Sequence, residues 1–598
     1  MIQYKNQQEK LLNEKIMARM DALYDEKEKM ITQYRGEHGY HSTLVNQWVH
    51  STRDSLAYAY ERMNRDEEGD FEEAEAILKR VVPLQDINAA NDTYGIWSYY
   101  MEEPLEKMAP PDWNWADFCG KVLIQILMDY GGRLTDELQQ MLRQSVIHCC
   151  NSIMRRDMGP HYTNISIMGT LVTMAAGEAF GLENLTSYAG RRLDTLYEFN
   201  MGHGAFQEYN SPSYTWVVID DLAAMTPYIK NEESLRKFRD INDLAWKCIA
   251  EHYHYKTKQW AGPHSRFYAM LEDMELQMRI QRALDYRIML VPLEAEGLAE
   301  RLPMGFFSSA GVCPDRYIRY FTEPTKENEV DAVYAYGNNP SEREIAVCRQ
   351  KEAYNLGTFY KNTFWNQRRS HISYYGTEEK PVYCSMKCLH DFYDYSSGLV
   401  VTAQDGMRAV SAVSFGTDGG DTHCSLDLIR DASIHASDLR IRFEIGGAVD
   451  TVRAVEESEG RFRIETEGEQ IRIEFPHAEF GKYPVSYALV EEREHVNETG
   501  DHKTSGAVIG IDVVLYHGEP AMIHFKELER CCCGVSFEIV PKGESFAEPA
   551  AAGVENGYLW VEQGNLKVTA PASACTIAQF QKEARAYRDE KEYLEIYQ

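Results

Sequence analysis

Up to about residue 325, apolar side chains return every three or four positions. The recurrence is clear over residues 58–65, 71–81, 115–130, 135–154, 164–180, 187–200, 214–225 and 234–252, and a stripe at that spacing predicts a helix with one face turned to a core. Turns holding Gly, Pro or Asn separate these segments, such as Met158-Gly159-Pro160 and Gly181-Leu182-Glu183-Asn184. Successive helices should therefore fold back as antiparallel hairpins. No fixed repeat of the kind that builds open helical arrays is visible, which favours a closed helical toroid.

Beyond about residue 330 the period drops to two. Phe462, Ile464 and Thr466 alternate with charged residues, Gly468 interrupts, and Ile471, Ile473 and Phe475 resume the alternation; this is the pattern of a hairpin with one wet face. Comparable strands are expected over 398–403, 408–415, 439–445, 507–515, 521–525, 535–539 and 558–561. The expected architecture is a multidomain α+β chain. It comprises a helical toroid over 1–325, a linker over 326–341, an antiparallel β-sandwich over 342–576, and a C-terminal amphipathic helix or tail over 577–598.

Composition narrows the function. The 598 residues carry 62 Lys plus Arg against 93 Asp plus Glu, a formal net charge of −31. Such a surface disfavours nucleic acid and anionic membranes as partners, and an anionic substrate would need a pocket that reverses the field locally. No apolar run reaches the length of a membrane span, and the charged first 29 residues lack the apolar core of a secretory signal. The 13 cysteines include Cys149-Cys150 and Cys531-Cys532-Cys533, and such adjacency suits reduced thiols, hence a cytoplasmic reading that leaves open a secreted or periplasmic form with a trimmed signal.

Five polar and aromatic stretches interrupt the helical pattern. Trp97, in Tyr94-Gly95-Ile96-Trp97-Ser98-Tyr99-Tyr100, and Trp113-Asn114-Trp115 offer ring faces and an amide suited to a sugar. His161-Tyr162-Thr163-Asn164 begins an apolar helix; Asn164 could equally cap it. The stretch from Gly202 to Tyr214 holds His203, Glu208, Tyr209 and Tyr214, and the stretch from Trp260 to Tyr268 holds His264, Arg266 and Tyr268. Asn, Tyr, His and Arg recurring where helices begin is the set needed to handle a carboxylated sugar.

In the order Asn164, then Gly204-Ala205-Phe206 with Tyr209 and Tyr214, then Ser265-Arg266, the chain resembles the polysaccharide lyases built from an incomplete (α/α) toroid followed by antiparallel β-sheets, such as the chondroitin, hyaluronate, alginate and heparin lyases. The resemblance implies β-elimination on a uronic-acid-containing glycan, giving a 4,5-unsaturated uronate, with an acidic oligosaccharide as the partner molecule. It places the chemistry on Asn164, Tyr209, Tyr214 and Arg266; the residue types of the loops add His264 as an acid/base candidate and Trp97, Trp113, Asn114, Trp115, His161, His203, Glu208 and Tyr268 as substrate contacts. Asn164 and Arg266 would neutralise the carboxylate, and Arg is suited to this by its fork of donors. The chain departs from several relatives in carrying Tyr209 where they place a catalytic His, so base and acid stay open among Tyr209, Tyr214 and His264. The proposed chemistry requires no cofactor. Because some such lyases hold a metal in the sheet domain, structural zinc or calcium stays open, with His371 and His423 as weak candidates. A homo-oligomer is also left open. Two alternatives are an (α/α)-toroid glycoside hydrolase drawing on Glu102, Asp117, Glu208, Asp220 or Asp221, and a carbohydrate-binding protein without turnover.

Overall fold

A computed structural model describes residues 2–36, 41–308, 311–324, 326–335, 343–420, 426–496 and 505–598. The chain divides into two compact units. The first comprises Met1–Gly202, Tyr214–Lys247 and Asp273–Arg316, and the second His203–Ser213, Cys248–Glu272 and Tyr317–Gln598.

The first unit is helical. In chain order it contains α1 (Gln7–Leu23), α2 (Thr52–Arg65), α3 (Asp70–Val81), α4 (Trp115–Tyr130), α5 (Asp136–Arg156), α6 (Thr163–Phe180) and α7 (Glu183–His203), then most of α8 (Pro212–Met225) and α9 (Glu232–His252), and α10 (Met274–Ala283). Helix α2 packs on α3 and α4, and α4 packs on α5 and α6, so α2, α4 and α6 form an inner row with α3 and α5 outside. Composition explains the layering. Helix α6 is apolar on every side and buries all fifteen residues from Thr163 to Gly177, whereas α5 buries one stripe that includes Leu138, Leu142, Val146, Cys149 and Ile153. Helix α5 starts where the Thr135 side chain accepts a hydrogen bond from the Leu138 amide and ends at Asp157 in the left-handed region, and α6 ends at Gly181 with φ +68°.

Helix α1 lies in the charged N-terminal stretch where periodicity predicts nothing. It buries Leu12, Ile16, Met17 and Met20, and its fully buried Glu9 meets Arg282 at 2.8 Å. A partner 273 residues away makes a buried carboxylate tolerable there.

The second unit stacks three antiparallel sheets. The nine-stranded outer sheet runs Ser486–Val496, Ser505–His524, Ser433–Gly447, Pro381–His390, His371–Gly376, Asn355–Phe359, Glu344–Lys351, Glu327–Ala335, with Tyr393–Asp394 beside Pro381–His390. The seven-stranded sheet runs Arg453–Ser458, Arg461–Glu465, Glu469–Phe480, Cys531–Pro541, Arg408–Phe415, Gly398–Asp405, Lys361–Thr363. One core, including Ile441, Phe443, Val513, Ile473 and Phe537, fills the space between these two sheets. A second core, including Val401, Val410, Ala412, Val561 and Val568, joins the seven-stranded sheet to a five-stranded one. The sandwich therefore has a third layer, and its middle sheet is covered on both faces. That is why Gly398–Asp405 and Cys531–Pro541 bury consecutive residues and do not alternate. Cys531 and Cys533 enter one core and Cys532 the other, and all twelve described cysteines are free thiols.

Two expected boundaries change. Glu327–Ala335, read as linker, is an edge strand paired with Glu344–Lys351; its alternation of charged and small residues is that of an edge facing water on one side. The C-terminal stretch holds a helix at Ile577–Glu583 and then two strands of the five-stranded sheet, Arg585–Arg588 and Lys591–Glu592, so it completes a layer.

Candidate functional site

In the second unit, two loops from the helical part of the sequence are tied together beside the sheets. Asn210 adopts φ +47°, a left-handed conformation that Asn tolerates. Its amide nitrogen donates to the carbonyls of Ala261 (2.8 Å) and Pro263 (2.9 Å), and its amide oxygen accepts from the Trp260 indole. Ser265 donates from its amide (3.1 Å) and hydroxyl (2.7 Å) to the Tyr209 carbonyl. The second loop then runs alongside residues 365–370: His264 and Arg369 exchange backbone bonds of 3.2 and 2.9 Å, and the Phe267 amide donates to the Gln367 carbonyl at 2.7 Å. Gly357 allows this approach, since a Cβ there would lie 2.1 Å from the Gly262 backbone.

This frame aims Arg266. Its Nε donates to Gln367 Oε1 (2.7 Å), Nη1 to Glu208 Oε1 (2.8 Å) and Nη2 to the Tyr268 hydroxyl (3.3 Å), while the guanidinium carbon sits 5.3 Å from the centre of the Trp365 ring. Three residues singled out in the sequence, Glu208, Arg266 and Tyr268, thus meet, together with Gln367, which the sequence did not single out. Glu208 serves here as the counter-charge of Arg266.

Two of the acid/base candidates are placed in packing. His264 is fully buried, its Nδ1–H donates to the Asn210 carbonyl (2.8 Å), and its Nε2 makes no hydrogen bond although the Trp260 carbonyl lies near the ring. Burial lowers its pKa to about 3, so it stays neutral and cannot supply positive charge. Tyr209 stacks on Tyr334 at 4.8 Å beside Phe359 and donates to His252 Nε2 (3.1 Å), whose Nδ1–H is held by the Cys248 carbonyl (2.8 Å). Burial raises the Tyr209 pKa and lowers that of His252 to about 4. His203, at the start of the first loop, is half-buried.

In the first unit the aromatic residues divide. Trp97 is a core residue, fully buried with its indole on the Val81 carbonyl at 3.0 Å. Trp113 is half-buried and donates to the Asp92 carbonyl (2.8 Å). Trp115 stacks on Tyr99 at 3.8 Å and donates to Thr52 Oγ1 (3.3 Å). Asn114, which precedes α4, links Tyr162 to Arg156, which composition and periodicity do not single out. Its oxygen accepts from Arg156, the last residue of α5, and its nitrogen donates to the Tyr162 hydroxyl at 3.1 Å, with the Arg156 guanidinium 5.9 Å from the Tyr162 ring centre. The only signals for Arg156 in the sequence are its place at a basic helix C-terminus and the polar stretch that follows. Asn164 is buried as the second residue of α6, inside the helix and not at its cap; His161 is exposed, and Tyr214 is half-buried as the third residue of α8.

The carboxylates considered for hydrolysis are all committed or enclosed. Glu102 accepts from the His50 ring and amide, Asp220 pairs with Arg279, and Asp221 meets Lys121 at 2.7 Å. Asp117 is fully buried against Gly169, and burial raises its pKa to about 7 against the lowering fields of Arg192 and Arg156. His371 lies edge-on to Phe443 (5.3 Å) and Phe537 (4.7 Å), neither ring nitrogen makes a hydrogen bond, and burial lowers its pKa to about 3. His423 lies outside the described residues. Among the described residues, no cluster of His, Cys, Asp or Glu could hold a metal ion, and no helix is long and apolar enough to cross a membrane.

The chain is similar in fold to polysaccharide lyases of known structure. A heparinase III structure aligns over 95% of this chain and 91% of its own, at 10% identity and a TM-score of 0.42. A chondroitinase AC lyase structure aligns over 98% and 93%, at 10% identity and a TM-score of 0.41. A family model described as a domain of unknown function (DUF8769) matches residues 9–287. A search of curated proteins gives no match.

Proposed function

We propose that this protein is a lyase that cleaves uronic-acid-containing glycans by β-elimination, leaving a 4,5-unsaturated uronate. The observation that carries the reading is the group of Arg156, Asn114 and Tyr162, which joins a guanidinium, an amide and a phenol; Asp112, beside it, takes the Asn114 backbone amide (2.9 Å) and not the guanidinium. In a chain of net charge −31, this is the local reversal of field that an acidic sugar requires.

The C5 proton of a uronate is weakly acidic because the neighbouring carboxylate is already negative. A guanidinium fork and an amide donor on that carboxylate stabilise the enolate-like charge that builds as the proton leaves, which lowers the barrier in the transition state more than in the ground state. A phenolate, stabilised by the neighbouring guanidinium, takes the C5 proton and becomes a phenol, and a second, neutral phenol gives its proton to the departing O4. Tyr162 and Tyr214 are the phenols assigned to these steps, because Tyr209 and His264 are spent in packing. Hydrolysis would need two carboxylates free to act on the bond, and those considered are paired or enclosed.

The test follows absorbance in the ultraviolet band of the conjugated unsaturated uronate over a panel of uronate-containing oligosaccharides, with Arg156→Ala and Tyr214→Phe run beside the parent. A rise that either substitution abolishes supports elimination. New reducing ends without that absorbance would assign hydrolysis, and binding without any product would leave a carbohydrate-binding protein.

A further inference from the structure

We propose that Arg53 forms a second anion subsite on the helical unit and holds a carboxylate or sulfate ester on the sugar next to the one engaged by Arg156, so that the substrate is a glycan with anionic groups on adjacent residues. This rests on the lyase reading for the role of Arg156, but the subsite itself stands on its own geometry.

Arg53 is the second residue of α2. Its guanidinium carbon lies 4.2 Å from the centre of the Phe118 ring and 5.5 Å from that of Trp115. Trp115 is itself fixed, stacked on Tyr99 with 21° between the planes and bonded to the hydroxyl of Thr52, the residue before Arg53. The guanidinium is therefore held by ring faces, which attract its charge and use none of its five N–H donors. Among the described residues Arg53 makes neither a hydrogen bond nor an ion pair. Two of the nearby acids are engaged elsewhere, Asp221 with Lys121 at 2.7 Å and Asp112 with the Tyr99 hydroxyl at 2.6 Å, and the adjacent Asp54 makes no ion pair with Arg53. Other arginines of this unit show the contrast, since Arg65 pairs with Asp70 and Asp21, and Arg279 with Asp220 and Glu275.

Position on α4 couples the two cations. Asn114, which holds Arg156, and Phe118, which holds Arg53, are four residues apart and share one face of the helix start. Four residues rise about 6 Å along a helix axis. Two guanidiniums supported one turn apart, each free of a carboxylate, can read a polyanion at two points, whereas a single uronate would engage only one. Carboxylate and sulfate ester present the same paired oxygens to a guanidinium fork.

The test measures binding by titration calorimetry with the full chain in the Tyr214→Phe background. Three probes are used: a sulfated uronate-hexosamine tetrasaccharide, its desulfated form and its carboxyl-reduced form. Arg53→Ala is expected to weaken the sulfated tetrasaccharide about tenfold or more and to erase the affinity gap between it and the probe lacking the recognised group, with Arg53→Lys restoring part of both. A gap lost for desulfation assigns the sulfate ester; a gap lost for carboxyl reduction assigns the carboxylate. An unchanged gap in Arg53→Ala, an equal loss on all three probes, or no binding of any probe by the parent overturns the subsite. Arg53-dependent binding without any unsaturated product from the unsubstituted enzyme would instead sink the lyase reading and leave the subsite standing.

Discussion

Glu208 is the carboxylate that a hydrolytic mechanism would most readily recruit, and its partnership with Arg266 makes a sharp prediction. Glu208 is 6% exposed at its side chain and Arg266 17%, with 2.8 Å between them. Removing one member of a buried ion pair costs about 3–5 kcal/mol, because the other charge is left uncompensated. Arg266 is open enough for water to replace part of the lost contact, so Arg266→Met should cost about 2–3 kcal/mol. Glu208→Leu leaves the guanidinium its bonds to Gln367 and Tyr268, and should cost about 1–2 kcal/mol. The double variant should cost less than the sum by about 1 kcal/mol or more, since no charge is then stranded. Urea unfolding of the four proteins at neutral pH measures this cycle. Strict additivity would refute the coupling. The same argument makes Glu208→Gln, which keeps an acceptor for Arg266, a variant with substantial residual turnover; a loss of about a thousandfold or more with unchanged unfolding would place Glu208 at the reacting bond instead.

Three further outcomes follow from the packing and the protonation states. Gly357→Ala should shift the 262–268 loop and lower stability, because its Cβ would meet the Gly262 carbonyl group at 2.1 Å; overpacking of this kind costs about 1–3 kcal/mol, and a variant that unfolds at the parent urea concentration would contradict it. Asp117 has a folded-state pKa raised to about 7 by burial, so the folded protein holds a proton that the unfolded chain releases near pH 4; this stabilises at low pH and is lost as pH rises through about 7. Asp117→Asn should therefore flatten the fall in stability between about pH 4 and 7, and an unchanged slope of urea midpoint against pH would disprove it. For His390, burial opposes the charged form, but the hydrogen bond at 2.8 Å and the charge of Asp427 outweigh it and raise the pKa. The clip between them is complete below the ordinary histidine value of about 6.5 and is lost as pH rises through the raised one. Protection of the Asp427 amide, taken relative to the intrinsic exchange rate at each pH, should fall at alkaline pH in the parent and stay level in His390→Gln.

Much of the fold was legible because local patterns and tertiary burial agree. The expected helix over 115–130 coincides with Trp115–Tyr130, and the one over 234–252 with Glu232–His252 to within two residues. Each has a single apolar surface and clear stops, so periodicity alone suffices. The misses share one cause. Helix α1 depends on a distant arginine for its buried Glu9, and the third layer that covers the second face of the middle sheet was not expected, although the strands at 398–403, 408–415 and 535–539 were. Neither circumstance is encoded within a short window of sequence.

The candidate site divides along the same line. Residue type and order in the chain were enough to single out the loops around Glu208 and Arg266 and the aromatic stretch near Trp115. Whether each side chain is exposed to a ligand or spent in packing was decided only by folding. His264 and Tyr209 read as acid/base groups until burial makes one permanently neutral and stacks the other on Tyr334, while Arg53 and Arg156 read as ordinary surface charge until ring faces and an amide hold them without a carboxylate partner. Chemistry is carried by residue type, which the sequence states outright; protonation and availability depend on the dielectric and the neighbours around each group, and these exist only once distant segments have packed.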